Sequence, residues 1–128
     1  STPQLLDMRP TLEAARADGQ HASAVVRINV ASPSFFDVMR IPIREGRTFA
    51  RGDLASATPG VVLSASLSHE LFGRTNPIGR EVRFTKGKYP SYRVVGVSGD
   101  VYGDRVADGA LRSIYFPLLN DLDPASTE

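Results

Sequence analysis

Three glycines and two aspartates follow a run of valines in the segment YRVVGVSGDVYGD, residues 92–104. A glycine-rich loop after a strand can hold a phosphate, and a dinucleotide-binding loop needs the spacing G-x-G-x-x-G at the start of a helix. The glycines here stand at 96, 99 and 103, and Gly109 interrupts the residues that would have to form the helix. The spacing therefore predicts a structural role, in which Gly96 lets two backbones approach closely and Gly99 and Gly103 supply turns.

Asp100, Asp104 and Asp108 recur at every fourth residue, and converging carboxylates can bind a hard cation. A spacing of four brings side chains together only on a helix, and glycines interrupt this segment. We therefore predict a solvated acidic loop that holds no metal ion. The two histidines, His21 and His69, also lack the spacing of a zinc site, and the chain has no cysteine.

Four arginines are separated by three or four residues: Arg40, Arg44, Arg47 and Arg51. On one helix they would form a basic stripe able to follow phosphates, but Pro42 and Gly46 exclude a continuous helix. We expect these arginines to pair with nearby carboxylates instead, with Arg47 the member that is partly buried. The candidate partners are Asp37, Glu45 and Asp53.

The composition is that of one globular domain of 128 residues, with 41% hydrophobic and 23% charged residues. The net charge of +1 implies neither nucleic acid nor an anionic membrane as partner. No apolar run reaches the roughly 20 residues that span a bilayer, and the first residues lack the pattern of a signal peptide. No serine stands in a G-x-S-x-G pattern, so we predict that the chain is not an enzyme.

The predicted fold class is α+β, a small mixed sheet of short strands with two short helices. Residues 12–18 are predicted as a surface loop, with a short helix as the alternative. Residues 22–30 alternate and predict a strand that places Val26, Ile28 and Val30 on one apolar face.

A helix is predicted over residues 32–40, with Ser32 as the N-cap and Pro33 at the first helical position. Its apolar face would contain Phe35, Phe36 and Met39. Residues 41–53 are predicted as a connector.

The second half of the chain has the clearer local signals. Residues 61–64 predict a buried strand, which leads into a helix that ends at Gly73. Residues 80–85 and 92–98 alternate about a polar loop and predict a β-hairpin whose tip carries Lys86 and Lys88, the only two lysines of the chain. A last strand is predicted over residues 113–118.

Three segments in this order, residues 30–53, 61–84 and 92–118, resemble the MacB-like periplasmic core domain of ABC-transporter permeases of the FtsX/MacB type. The likeness covers residues 25–119, which leaves residues 1–24 as a flanking segment and residues 120–128 as a tail. The positions that carry the likeness are Ser32, Pro33, Phe36, Gly46, Arg47, Phe49, Asp53, Phe72, Pro77, Gly79 and Gly96.

The resemblance implies a non-catalytic periplasmic domain of a cytoplasmic-membrane protein, inserted between two transmembrane helices of a permease. In an efflux or export transporter of this kind, a separate nucleotide-binding domain hydrolyses ATP and the domain couples that movement to an external partner or substrate. The implied partners are the permease helices of the same parent chain, the nucleotide-binding domain indirectly, and a periplasmic adaptor or a lipoprotein or peptide substrate. No cofactor and no nucleic acid are implied. The alternative is a free-standing module that binds a ligand or peptide at an exposed sheet edge.

Overall fold

The computed structural model describes residues 9–16, 18–103 and 109–118. Within them, eight strands form one mixed sheet and two helices pack against it, which confirms the predicted α+β class. The strands are β1 (Thr11–Ala15), β2 (His21–Val25), β3 (Arg27–Ala31), β4 (Ile43–Gly46), β5 (Gly60–Ser64), β6 (Glu81–Phe84), β7 (Tyr92–Ser98) and β8 (Ser113–Pro117). The helices are α1 (Phe35–Val38) and α2 (Ala65–Phe72).

Two consecutive strands stand at the two ends of the sheet. The strand order is β2-β1-β6-β7-β5-β8-β3, with β4 paired to β7, so β2 and β3 stand at opposite ends although only Val26 separates them in the chain. The Val26 amide donates to the Pro10 carbonyl at 2.9 Å, and the Arg27 amide donates to the Arg112 carbonyl at 2.8 Å. The predicted strand over residues 22–30 is therefore two strands that pair with different neighbours.

The sheet buries apolar side chains on both of its faces, because successive residues of a strand point in opposite directions. Val61, Leu63 and Val94 lie on the face covered by α2, whose Leu67 and Leu71 are fully buried. The other face carries a second cluster that includes residues of α1 and of the segment after β4: Ala31, Phe36, Phe49, Val62, Val95 and Tyr115. The two clusters fix the central strands β5 and β7 from both sides.

Residues 12–18 are not the predicted loop or helix, since β1 occupies Thr11–Ala15. Leu12 and Ala14 are buried and Glu13 between them is not, which is the alternation of a half-buried strand. The helix-favouring residues Leu, Glu and Ala are overridden because β1 pairs with both β2 and β6.

The predicted helix over residues 32–40 is shorter than expected. Helix α1 spans only Phe35–Val38, with Ser34 rather than Ser32 at the N-cap. Met39 was predicted on the apolar face but is 57% exposed, because α1 ends before it. The predicted apolar face of the preceding strand also ends early, since Val30 is 46% exposed.

The connector predicted over residues 41–53 contains a strand. β4 pairs antiparallel with β7, and its register shifts between Ile43 and Glu45. The glycine and proline residues around β4 concealed this short strand in the sequence. The remaining predictions are confirmed: β5 leads into α2, β6 and β7 form a hairpin, and β8 follows. Among the described residues, no helix combines the length and apolar character that crossing a membrane requires.

Candidate functional site

A close backbone contact lies where β4 meets β7. Gly46 is paired with Gly96, and a Cβ placed on Gly96 would lie 2.1 Å from the carbonyl oxygen of Arg47. A Cβ placed on Gly46 would lie 2.2 Å from the carbonyl oxygen of Val95, and Gly46 has a φ of +68°. The close backbone approach predicted for Gly96 is therefore present, and Gly46 is its partner.

The segment that follows this contact is closed by an ion pair between the half-exposed Arg47 and the buried Asp53. The Arg47 guanidinium donates two hydrogen bonds to the carboxylate of Asp53, at 2.9 and 3.0 Å, and the Ala50 amide donates a third at 2.7 Å. The Gly60 amide donates to the Asp53 carbonyl at 3.1 Å. These bonds fasten residues 47–53 to the beginning of β5.

The ion pair determines the ionisation of both partners. Burial alone raises the pKa of the Asp53 carboxyl, but the hydrogen bonds from Arg47 and from the Ala50 amide, together with the charge of Arg47, outweigh burial and hold the pKa below its ordinary value of 3.8. The hydrogen bond to Asp53 likewise raises the pKa of Arg47 above its ordinary value. Both groups are charged at neutral pH.

The other residues of the resemblance occupy structural positions. Phe36 and Phe49 share the cluster on the face of the sheet opposite α2, with ring centroids 6.3 Å apart. Phe72 is buried at the end of α2, and Pro77 is buried in the turn before β6. The remaining positions lie in turns. The Ser32 carbonyl accepts a hydrogen bond from the Phe35 amide, and the Pro33 carbonyl accepts one from the Thr48 hydroxyl. Gly79 has a φ of +88°.

Two predictions for the glycine-rich segment were wrong. Gly99 does not supply a turn but packs against Pro42, where an added Cβ would lie 3.1 Å from the ring, and its amide donates to the Pro42 carbonyl. Asp100 is not a member of a solvated loop, because its carboxylate accepts the Ser66 amide at 2.9 Å in the first turn of α2. Gly103 donates to the Gly109 carbonyl at 3.4 Å. Asp104 and Asp108 lie outside the described residues.

The arginines of residues 40–51 form no stripe, because β4 and turns take the place of a helix. Arg47 forms the predicted pair with Asp53, and the arginine side chain remains half-exposed. Arg40 and Arg44 make no ion pair with any residue that the structure describes, so the pairing predicted for them with Asp37 or Glu45 is not present there.

The contacts that hold α2 escaped the sequence analysis. The Arg16 guanidinium donates to the carbonyls of Leu71 and Glu70, at 3.0 and 2.9 Å, and so caps the end of the helix. At the other end, the Ser64 hydroxyl accepts the amides of Leu67 and Ser113. Apart from the local cap of Ser64 on Leu67, these contacts join residues distant in sequence, and no local pattern indicates them.

Helix α1 ends in an uncommon way. Arg40 has a φ of +57° and is the only described residue other than glycine with a positive φ. It follows the C-cap residue of α1, a position that is ordinarily occupied by glycine. The Arg40 amide donates to the Asp37 carbonyl, and the Ile41 amide donates to the Phe36 carbonyl at 2.8 Å. Val38 and Met39, just before it, are 75% and 57% exposed.

Chemistry at a reaction centre finds little support in the described residues. Within residues 9–16, 18–103 and 109–118, no three His, Cys, Asp or Glu side chains are grouped so that they could hold a metal ion. His21 and His69 are both exposed, on β2 and on α2 respectively. The structure does show connectors that are held to the sheet by hydrogen bonds, after β4 and at both ends of α2.

The chain matches the family profile of the MacB-like periplasmic core domain over residues 2–127. The chain belongs to this family. Its curated relatives include the macrolide export ATP-binding/permease protein MacB of Syntrophobacter fumaroxidans, 38% identical over 66 residues, which are 52% of this chain and 9% of that protein. The pyoverdine export ATP-binding/permease protein PvdT of Pseudomonas aeruginosa is 30% identical over 81 residues, 63% of this chain and 12% of that protein. The chain thus spans about a tenth of the curated relatives it matches.

Solved structures have the same fold. The periplasmic region of MacB from Actinobacillus actinomycetemcomitans superposes with a TM-score of 0.63 at 22% identity, covering 94% of this chain and 49% of that one. The extracellular domain of the transporter YknZ from Gram-positive bacteria superposes with a TM-score of 0.57 at 22% identity, covering 97% of this chain and 62% of that one. This MacB-like domain is an extracytoplasmic domain of an ABC-transporter membrane permease, as the resemblance implied.

Proposed function

We propose that this MacB-like domain is a non-catalytic coupling element of an export transporter. It passes the conformational change that ATP hydrolysis causes elsewhere in the transporter to a partner or substrate outside the membrane. The partners are the permease helices of the parent chain, the nucleotide-binding domain through those helices, and a periplasmic adaptor or a lipoprotein or peptide substrate.

The observation that carries the proposal is the family match over residues 2–127. The two curated relatives are each named as ATP-binding/permease proteins for export, one of macrolides and one of pyoverdine. The same observation favours coupling over the free-standing binding module, because the matched relatives carry this domain within permease proteins and a free-standing module would be a separate protein.

The tied connectors support a mechanical role. A coupling element must move as one body, because a displacement absorbed by loose loops would not reach the far side of the domain. Here the segment after β4 is fixed to β7 by the contact of Gly46 with Gly96, and to β5 by Asp53. Arg16 and Ser64 fix α2 at its two ends.

The test is an excision in the parent permease. Residues 11–117 are replaced by a flexible glycine-serine linker, and the transporter is reconstituted in proteoliposomes with its nucleotide-binding domain. A macrolide and pyoverdine, the compounds named for the two relatives, serve as first export probes, and ATP hydrolysis is measured in parallel. We expect ATP hydrolysis to remain measurable while export is lost.

The matched control inserts the same linker after Ser56, an exposed residue between β4 and β5, so that the domain is kept. The control should export as the parent does. Export by the excised transporter at the parent rate would contradict the coupling role. Loss of ATP hydrolysis and export together in the excised transporter would contradict it as well, since the domain would then be needed for the ATPase itself.

A further inference from the structure

Both lysines of the chain lie at one tip of the molecule. Lys86 and Lys88 stand in the loop that joins β6 to β7, and both are exposed. The loop, residues 85–91, contains no acidic residue. A net charge of +1 over the whole chain therefore conceals a local concentration of positive charge.

A tyrosine ring in the same loop packs against the sheet. Tyr89 is 50% exposed, and its ring packs edge-on against Phe84 with the centroids 5.6 Å apart. Gly87 has a φ of +91°, and a Cβ there would lie 2.5 Å from the Tyr89 ring, so only glycine leaves the ring this position. The tip therefore presents an aromatic ring packed against Phe84, with Lys86 and Lys88 just before it in sequence.

Both ends of the described chain lie beside this tip. The Thr85 amide donates to the Thr11 carbonyl at 3.0 Å, and Arg9 and Pro10 line a shallow groove together with Lys86 and Tyr89. At the other end of the chain, the Phe116 ring stacks on Phe84 with the centroids 6.2 Å apart, and β8 ends one residue later. Segments that lead from the domain to the permease helices would leave from this end.

We propose that the tip formed by residues 85–91, with Arg9 beside it, rests on the anionic phospholipid headgroups of the membrane that anchors the parent permease. Lysines near an anionic bilayer are attracted to its surface, and tyrosine is enriched at the membrane–water interface. The proposal rests on the proposed function, in that it takes the chain to be anchored through its ends. The contact would set the orientation of the domain above the bilayer.

The test uses the absence of tryptophan from the chain. Tyr89→Trp places a single fluorophore in the tip, and Tyr102→Trp places one at a 68% exposed position beyond the opposite end of β7. Each variant carries a C-terminal histidine tag and is attached to vesicles that contain a nickel-chelating lipid and a brominated phosphatidylcholine, which quenches tryptophan. The vesicles contain either phosphatidylcholine alone or about 30% phosphatidylglycerol, a share that makes the surface negative.

We expect quenching of the Tyr89→Trp variant to be about twofold stronger on vesicles with phosphatidylglycerol, and we expect high salt to remove the difference. The Tyr102→Trp variant should be quenched equally on both kinds of vesicle. Equal quenching of the Tyr89→Trp variant on both would overturn the proposal and leave the tip as a surface for a protein partner.

Charge-reversal variants distinguish an effect of the lysines at the tip from an effect of the net charge of the domain. Lys86→Glu with Lys88→Glu, in the Tyr89→Trp background, should reduce quenching to the value on phosphatidylcholine. The matched control, Arg44→Glu with Arg74→Glu, changes the net charge equally at exposed positions on β4 and after α2 and should keep the difference. An equal loss in both would overturn the proposal. If the tip contacts anionic vesicles but the transport experiment fails, only the coupling role is contradicted. If transport depends on the domain but the tip does not contact the vesicles, only the membrane contact is contradicted.

Discussion

Gly46 lies directly opposite Gly96 in the pairing of β4 with β7, and the carbonyl oxygens of their neighbours occupy the space where two side chains would otherwise stand. The Arg47 amide then donates to the Val95 carbonyl at 3.0 Å. Both glycines are thus required by steric contact with the backbone, and Gly46 in addition by its positive φ. The stability of the segment after β4 depends on this contact.

Gly96→Ala is expected to lower the free energy of unfolding by about 1–3 kcal/mol, because the added methyl group cannot be accommodated without moving β4 away from β7. Hydrogen exchange at the Arg47 amide should accelerate as well. Gly19→Ala is the control, since its methyl group would meet no atom within 4 Å. Its left-handed backbone costs about 1–2 kcal/mol, so hydrogen exchange at the Arg47 amide separates the two variants, and only Gly96→Ala should accelerate it. An unchanged melting temperature for Gly96→Ala would refute the packing role.

Arg40→Gly is expected to raise the free energy of unfolding by about 0.5–1 kcal/mol. Relief of the left-handed conformation gains about 1–2 kcal/mol, and the larger conformational freedom of glycine in the unfolded chain offsets part of it. Thermal unfolding should show an increase of roughly 2–5 °C. Arg44→Gly, which removes an exposed arginine from β4 instead, should be destabilising. A decrease for both variants would mean that the Arg40 side chain makes a stabilising contact.

Asp53→Asn is expected to weaken the dependence of stability on pH under acidic conditions. The pKa of Asp53 is lower in the folded than in the unfolded chain, so its contribution to stability is present above the ordinary pKa of 3.8 and is lost as the pH falls from there through the folded value. Melting temperatures between pH 2 and about 7 would measure this. Glu45→Gln, at an exposed carboxylate on β4, should leave the profile unchanged, and an identical acid slope in Asp53→Asn and the parent chain would contradict the prediction.

Arg16→Ala is expected to destabilise the chain by about 1.5–3 kcal/mol, because two carbonyls at the end of α2 lose a charged donor. Hydrogen exchange should accelerate at the last turn of α2. Arg83→Ala provides the comparison, because Arg83 forms an ion pair with Glu13 on the exposed side of the sheet and should cost no more than about 1 kcal/mol. Equal losses in the two variants would show that Arg16 acts as an ordinary surface charge.

Elements with strong local signals were predictable from the sequence. The side chain of Ser64 caps α2 and Gly73 ends it, so the helix is marked at both ends within a few residues. The hairpin of β6 and β7 likewise has alternating strands about a polar loop. β1 was not predictable, because its residues favour a helix and only its two distant neighbours, β2 and β6, make it a strand.

The same distinction holds for the candidate site. The partner of Arg47 was among the predicted carboxylates because Asp53 is only six residues away. The close approach at Gly96 could be predicted from a glycine within a strand, but its partner Gly46 could not, since the pairing of β4 with β7 is set by packing. The contact of Arg16 with Leu71 spans 55 residues and has no signal in sequence spacing.

The place of β3 at one end of the sheet also affects when the domain can be completed during synthesis. β3 pairs in parallel with β8, the last of the described strands, and β8 pairs in turn with β5. A chain that emerges on the outer side of the membrane from its N-terminus has β3 and β5 exposed as unpaired edges until β8 arrives, and such edges favour aggregation. We therefore expect the capture of β8 to be a late step of folding, and the free edges of β3 and β5 to be open to aggregation until it occurs.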